Sequence, residues 1–175
     1  MSVDGIITTQ RLVLSPFTAG CIGPEYLGWL NDPLVMRFSN QRFHLHTPGS
    51  AHNYLASFEG TANRFFAIHQ LQDKRMIGTM TAYIAAPHRT VDLGLLIGDR
   101  SVWGRGYGLE AWSALMSRLF GEGLRKVTGG TVRPNTGMQK IMQRSGMRME
   151  AVRERHEIVG EEEVDVLYYA RFRDA

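Results

Sequence analysis

From Val102 to Ala111 the chain reads Val102-Trp103-Gly104-Arg105-Gly106-Tyr107-Gly108-Leu109-Glu110-Ala111, with a glycine at every second position through its middle. An apolar, strand-like run, Val91 to Ile97, precedes it, and a segment with helical spacing, Leu109 to Phe120, follows. A strand, a glycine-rich turn and a helix start make an anion site. Glycines let successive N–H groups turn the same way without interference from a Cβ. The helix start adds unpaired N–H groups and the positive end of its dipole. The pattern predicts a ligand that carries phosphate.

Two common phosphate loops fit poorly. The string G-x-x-x-x-G-K-[ST] does not occur. Gly106-Tyr107-Gly108-Leu109-Glu110-Ala111 matches G-x-G-x-x-A, the dinucleotide turn, by letter. That turn belongs to an early strand–helix–strand unit, with an acidic residue about twenty positions on. Here it lies past mid-chain, and Val132, Arg133 and Pro134 stand near that distance.

The rest of the sequence bounds the setting. Its 175 residues predict one domain, 1–175, with a substantial core. No apolar run approaches membrane-spanning length, and the polar start Met1-Ser2-Val3-Asp4-Gly5 has no signal pattern, so a cytoplasmic protein is expected. Cys21 is the sole cysteine, which excludes an internal disulfide. His44 and His46 stand two apart with no partner pair at metal spacing, so no metal site is expected. The formal charge of +3 is a matter of solubility as readily as of a polyanionic ligand. Basic residues are scattered and no nucleic-acid motif occurs, so no nucleic-acid or membrane partner is expected.

Periodicity orders the chain. Arg11 to Pro16 alternates as a first strand. Pro24 to Phe38 carries a helical face interrupted at Asn31-Asp32-Pro33, where Asp32 as cap and Pro33 in the first turn predict a second helix start. Phe43 to Gly49 reads as a loop, and Thr47-Pro48 opens a helix through about Ser57. Arg64 to Leu71 and Met76 to Ala85 read as paired strands. Val91 to Ile97 is the fourth strand, apolar enough for a central, doubly covered place. After the helix from Tyr107 come a fifth strand, Lys126 to Val132, and a short helix, Thr136 to Arg144. Met147 to His156 and Val164 to Arg171 form a final antiparallel pair. The order predicts an α+β fold, a sheet sandwiched by helices.

Several segments resemble, in order, the GNAT superfamily of acetyl-CoA-dependent N-acetyltransferases. Trp103-Gly104-Arg105-Gly106-Tyr107-Gly108 is similar to its pyrophosphate loop [QR]-x-x-G-x-[GA]. Trp103 replaces the usual Gln or Arg, as in the ribosomal-protein-alanine acetyltransferase (RimJ/RimL-like) branch, where W-G-K-G-Y-[AG]-x-E-A is common. Thr9-Gln10-Arg11-Leu12-Val13-Leu14 resembles that branch's opening T-x-R-L-x-L. Asn31-Asp32-Pro33-Leu34-Val35-Met36-Arg37 resembles its N-D-P-x-V-x-[RK]. Asn135 with Ser145-Gly146-Met147, and Val164 to Tyr169, resemble the later segments.

The resemblance implies a mixed, mostly antiparallel sheet whose fourth and fifth strands splay apart to hold pantetheine. It implies acetyl-CoA as co-substrate, with Leu95, Leu96 and Ile97 offering fourth-strand contacts. Trp103, Gly104, Arg105, Gly106, Tyr107 and Gly108 would hold the pyrophosphate, Arg105 and Tyr107 through backbone N–H. Asn135 would stand near the pantetheine amides, with Lys140 toward the adenosine phosphates. Bland readings stand beside these: Asn135 as a turn residue, Lys140 as a solvated lysine, and Glu110 as helix-start electrostatics.

Acetyl transfer needs a neutral amine and a proton for the leaving thiolate. Met142 stands where many relatives have an acidic Tyr, so the acid is unassigned. Asp92, the only fourth-strand carboxylate, is the first expected base and His88 the second. His44 and His46 are the expected acceptor contacts. The expected acceptor is a small-molecule amine such as an amino sugar, the alternative a protein N-terminal amine, and the assembly a monomer or homodimer. A catalytically silent acyl-CoA sensor is the reading outside catalysis.

Overall fold

The computed structural model describes residues 5–174, so the polar opening Met1–Asp4 and the final Ala175 lie outside it. Twelve elements follow one another: β1 (Ile7–Thr8), β2 (Leu12–Pro16), α1 (Pro24–Leu30), α2 (Pro48–Ala56), β3 (Arg64–Gln70), β4 (Met76–Ala85), β5 (Thr90–Ile97), α3 (Tyr107–Gly121), β6 (Lys126–Val132), α4 (Thr136–Arg144), β7 (Arg148–Val159) and β8 (Glu162–Phe172). The strands form one sheet in the order β1-β2-β3-β4-β5-β6-β8-β7. Because β1 is an added two-residue strand, the fourth and fifth strands of the sequence reading are β5 and β6.

Every neighbouring pair is antiparallel except β5 and β6. This is the mixed, mostly antiparallel α+β sheet expected from the sequence. The apolar β5 takes an inner place, as its composition requires.

Helices cover both faces. On one, α3 buries Trp112, Leu115, Met116 and Leu119, and α4 adds Met142, against Leu93 and Val127 of the sheet. The helical spacing of Trp112, Leu115, Met116 and Leu119 puts them on one stripe. On the other face, Tyr26, Trp29 and Leu30 of α1 pack with Ala51 of α2 against Phe65 and Ala67 of β3. Strand alternation divides β5 between them: Leu95 and Ile97 pack toward α3, and Leu96 toward α1.

The helix expected after Asp32 does not form. Asp32 Oδ1 accepts from the N–H groups of Leu34 and Val35, and Met36 N–H closes one turn on the Asp32 carbonyl. The chain then opens, because Met36 packs into the α1 cluster while Phe38 packs against Val132, Val166 and Tyr168. A single turn has too few bonds to offset its nucleation cost.

Candidate active site

The site begins where the sheet comes apart. β5 and β6 pair at Thr90↔Lys126, Val91↔Val127 and Asp92↔Thr128, and no further. Beyond that point β5 keeps only its β4 neighbour, through Gly78↔Ile97. Gly98 N–H bonds the Ile77 carbonyl at 3.0 Å. In an antiparallel ladder main-chain groups alternate in direction, so Gly94, Leu96 and Gly98 turn theirs to β4. Leu95 and Ile97 turn theirs away, into the gap. The start of β5 has the same parity: the Arg89 carbonyl accepts from Arg125 N–H, and the Val91 carbonyl lies 3.2 Å from the Thr128 hydroxyl oxygen. Leu96 therefore presents its side chain, not its main chain, to the site. The Ile97 carbonyl already accepts from Trp103 Nε1–H at 2.8 Å, which ties the half-exposed Trp103 back to the strand.

At the end of β5 the three loop glycines have different work. Gly104 and Gly106 have φ of +74° and +82°, in the left-handed region that glycine enters without strain. Gly108 lies within α3, where a Cβ would stand 2.9 Å from Ile141 Cδ1 and 3.3 Å from Leu95 Cδ2. Its missing side chain lets α3 close on α4 and on β5. The Arg105 N–H, expected to face the ligand, instead bonds the Val102 carbonyl at 3.3 Å because the loop opens with a tight turn. The Arg105 side chain is exposed. The first intrahelical bond runs from Glu110 N–H to the Gly106 carbonyl, so Tyr107, Gly108 and Leu109 supply the N–H groups that a helix start leaves unpaired.

A Cβ at Gly106 would meet nothing of the protein nearer than Arg11 Nη2, at 3.6 Å. Gly106→Asn is the cleanest probe, since Asn tolerates positive φ where a β-branched residue does not. It should keep the thermal stability within about 1 kcal/mol while weakening acetyl-CoA binding. A folded variant that binds as well as the parent, read by calorimetry, would show that no ligand approaches this glycine.

A polar network braces the loop from behind. Glu110 accepts from the Thr9 hydroxyl at 2.6 Å, from Arg11 N–H at 2.9 Å and from Arg11 Nε at 2.6 Å. Arg11 Nη1 also donates to the Arg105 carbonyl at 3.0 Å, and its guanidinium lies 4.4 Å over the Tyr107 ring. The Tyr107 hydroxyl accepts from Gln70, whose Oε1 accepts from Arg75. Arg75 lies 2.9 Å from Asp99, and Asp99 holds Ser101 by its N–H and its hydroxyl. Burial opposes the charge on Glu110, but the bonds from Thr9 and Arg11 outweigh it and hold the carboxyl below its usual range. Glu110 is thus a strut to the turn between β1 and β2, a role invisible to local sequence reading.

Gly98, also missed by the sequence reading, joins the loop to the other face. A Cβ there would stand 2.0 Å from the Trp29 ring, so the indole of α1 lies directly on the backbone where β5 ends.

Asp92 stands at the last β5–β6 rung, and the Thr128 hydroxyl donates to its Oδ1 at 2.6 Å. Asp92 is exposed at the surface, although protein crowds its carboxylate. Even so, the surrounding protein raises its pKa above the ordinary value, more than the Thr128 bond lowers it. It shares the α1–α2 face with Gly94 and Leu96 by alternation. A cavity of about 430 Å³ opens on that face, lined in part by Gly94, Leu95 and Leu96 below and by His44 and His46 above. His46 is fixed: its N–H bonds Asn31 Oδ1 and its ring nitrogen lies 3.0 Å from the Gln41 carbonyl.

Three other sequence candidates fall elsewhere. His88 is exposed in the β4–β5 connection, at the start of β5, whereas the gap opens toward its end. Only its carbonyl is engaged, by Arg125 Nε. Asn135 caps α4 by accepting from Met138 N–H at 3.2 Å. Lys140 is exposed on α4, next to the Ile141 that packs on Gly108. Met142 is fully buried, its sulfur 3.2 Å from where a Gly129 Cβ would stand, so that position lies in the core.

Acetyl-CoA suits this arrangement: a strand gap with main-chain groups aimed into it leads to two left-handed glycines and the start of a 15-residue helix. Comparison with known proteins agrees. Among solved structures, the chain resembles the ribosomal L7/L12 α-N-protein acetyltransferase RimL in complex with coenzyme A, with a TM-score of 0.83 at 17% identity over 97% of this chain and 99% of that one. A spermidine N-acetyltransferase from Vibrio cholerae in complex with CoA and spermine gives 0.83 at 16% identity, over 94% and 97% of the two chains. A GNAT-family acetyltransferase from Bacillus anthracis gives 0.81 at 21% identity, over 97% and 99%. No curated protein matches the sequence. Residues 11–148 match the family model for the acetyltransferase (GNAT) domain, and the chain belongs to that family of acetyl-CoA-dependent N-acetyltransferases.

Proposed function

We propose that this enzyme moves the acetyl group of acetyl-CoA directly to the primary amine of a small molecule, with Asp92 as the base. The carrying observation is that the β5–β6 ladder ends at a carboxylate whose pKa is raised, on the strand face that floors the cavity from Gly94, two residues further on. Acetyl-CoA supplies the thioester carbonyl. The α3 start and the Gly104–Gly106 turn hold its phosphates, and the Leu95 and Ile97 main chain aligns its pantetheine arm. Asp92 takes the proton of the ammonium, directly or through water, and so leaves the amine able to attack. A tuned carboxylate of this kind suits general-base work.

Direct transfer follows from the placement of the only thiol. Cys21 lies in the segment before α1, 3.7 Å from the Thr18 hydroxyl and among the residues packed under α1. Among the described residues no His, Asp or Glu bonds its sulfur, as the activation of a covalent nucleophile would need.

A small acceptor is favoured by the size of the cavity, about 430 Å³, which the 44–46 segment helps to line. A protein N-terminus is the second reading. A second cavity, of about 930 Å³, adjoins the first across Leu30, Met36, His44 and Leu45 and offers an extended chain a path.

The cofactor part has a direct test. Acetyl-CoA at a hundred times its dissociation constant should stabilise the fold by about 2.7 kcal/mol. For a chain of this size that is a melting shift of roughly 5–10 °C, and NAD at the same concentration should give none. A shift with NAD alone would overturn the assignment of the loop.

A further inference from the structure

Resting on the transferase reading above, we propose that the acceptor is an arylalkyl amine, a single primary amine on an uncharged aromatic body, and that polyamines and amino sugars are poor acceptors. The acceptor cavity has no Asp, Glu, Lys or Arg among its described lining residues. Its back wall is aromatic. Tyr54 meets Phe65 edge-on, with centroids 5.4 Å apart at 75°. Phe65 stacks on Phe17 at 4.2 Å, and Phe17 in turn tilts against Tyr26 at 4.9 Å. Such rings offer faces and edges to another ring and little to a hydrated group.

Two of the hydroxyls in the wall are committed inside the protein. The Tyr54 hydroxyl bonds that of Tyr83 at 2.6 Å. The Ser50 hydroxyl caps α2, accepting from Thr47 N–H and donating to its carbonyl. A sugar entering here would lose water from several hydroxyls against a wall that is mostly apolar and aromatic, and each bond left unreplaced counts against binding. A polyamine would fare worse. Its second ammonium would lie against an uncharged wall, and burying an unpaired charge is costly. The adjoining cavity carries Arg37 and Arg42, and its one carboxylate, Asp32, faces Arg100 at 3.4 Å. The carboxylate next along the same face is Asp92, at the Tyr83↔Asp92 pair, two residues from the lining Gly94. One charge on the protein fits one ammonium on the substrate, with the ring under the 44–46 segment. The volume of about 430 Å³ lies within the range of small-ligand pockets.

Thiol release from acetyl-CoA should be compared for phenethylamine, spermidine and glucosamine, alongside calorimetry with acetyl-CoA alone. Phenethylamine is expected to give kcat/KM at least tenfold above either competitor. Gln41→Glu puts a carboxylate on an exposed lining position and should raise the spermidine-to-phenethylamine ratio severalfold. Spermidine or glucosamine matching phenethylamine in the parent enzyme would overturn the proposal. So would acetyl-CoA binding with no turnover of phenethylamine, which leaves the cofactor reading intact. Failure of acetyl-CoA to bind would remove the transferase reading as well, and calorimetry alone detects it.

Discussion

Asp92→Asn is expected to lower kcat/KM at neutral pH by about 10²–10⁴-fold, the usual worth of a general base. The substitution keeps the shape, and its amide oxygen can still accept from Thr128, whose bond to Asp92 is 2.6 Å long. The deficit should shrink as pH rises and more of the free amine is already neutral. Stability should move the other way. Burial raises the Asp92 pKa above its ordinary 3.8, so the carboxyl favours folding while protonated. That advantage is complete below the unfolded value and lost as pH rises through the folded one. At neutral pH the charged form therefore costs stability, and Asp92→Asn should melt higher than the parent, with the difference fading in acid. A variant that keeps its pH–rate profile removes Asp92 as the base. One that is less active and also less stable at neutral pH gives it a structural role instead.

Glu110→Ala should have the largest effect on the loop. It removes one acceptor shared by the Thr9 hydroxyl, the Arg11 N–H and the Arg11 guanidinium. Hydrogen bonds to a charged group are worth about 1.5–3 kcal/mol. The pair is only partly buried, with side-chain exposures of 17% for Glu110 and 40% for Arg11, so a total near 2–3 kcal/mol is expected. Arg11 also holds the Arg105 carbonyl, so the loop should loosen. Reordering one residue costs about 1–2 kcal/mol, which is on the order of tenfold in acetyl-CoA affinity. Because the Glu110 pKa is lowered from 4.5, its contribution is present above that value and lost as pH falls through the folded one. The variant should lack this part of the parent's acid destabilisation. Unchanged melting and unchanged affinity would show that the strut is incidental.

Local patterns carried most of the elements. Lys126–Val132 and Thr136–Arg144 stand where periodicity put them, because Pro134-Asn135 separates them and Gly146 follows. The site was legible in part. Glycine spacing located the loop but could not divide its three glycines between backbone conformation and packing. Gly108 is needed because of Ile141, a residue on another helix. The Thr9–Arg11–Glu110 strut joins positions about a hundred residues apart, and no local period marks such a pair. Met142 drew attention as a missing acid, yet its burial beneath Gly129 is decided by strand β6, which has no side chain there to fill the space. Strand alternation, once the β4 register is known, settles what sequence left open: Leu95 and Ile97 turn their main chain to the gap, and Leu96 does not.

The divided sheet has a kinetic consequence. The glycine-rich loop and α3 lie over one face of the β5–β6 gap, and the cavity lined by Gly94 and Leu96 lies over the other. On the proposed reading the two substrates approach from opposite sides and meet only at the opening. Neither has to pass the other, and neither product blocks the other's exit. Obstruction then imposes no sequence of binding, and steady-state patterns should be those of a random mechanism unless one ligand reshapes the segment that roofs the second.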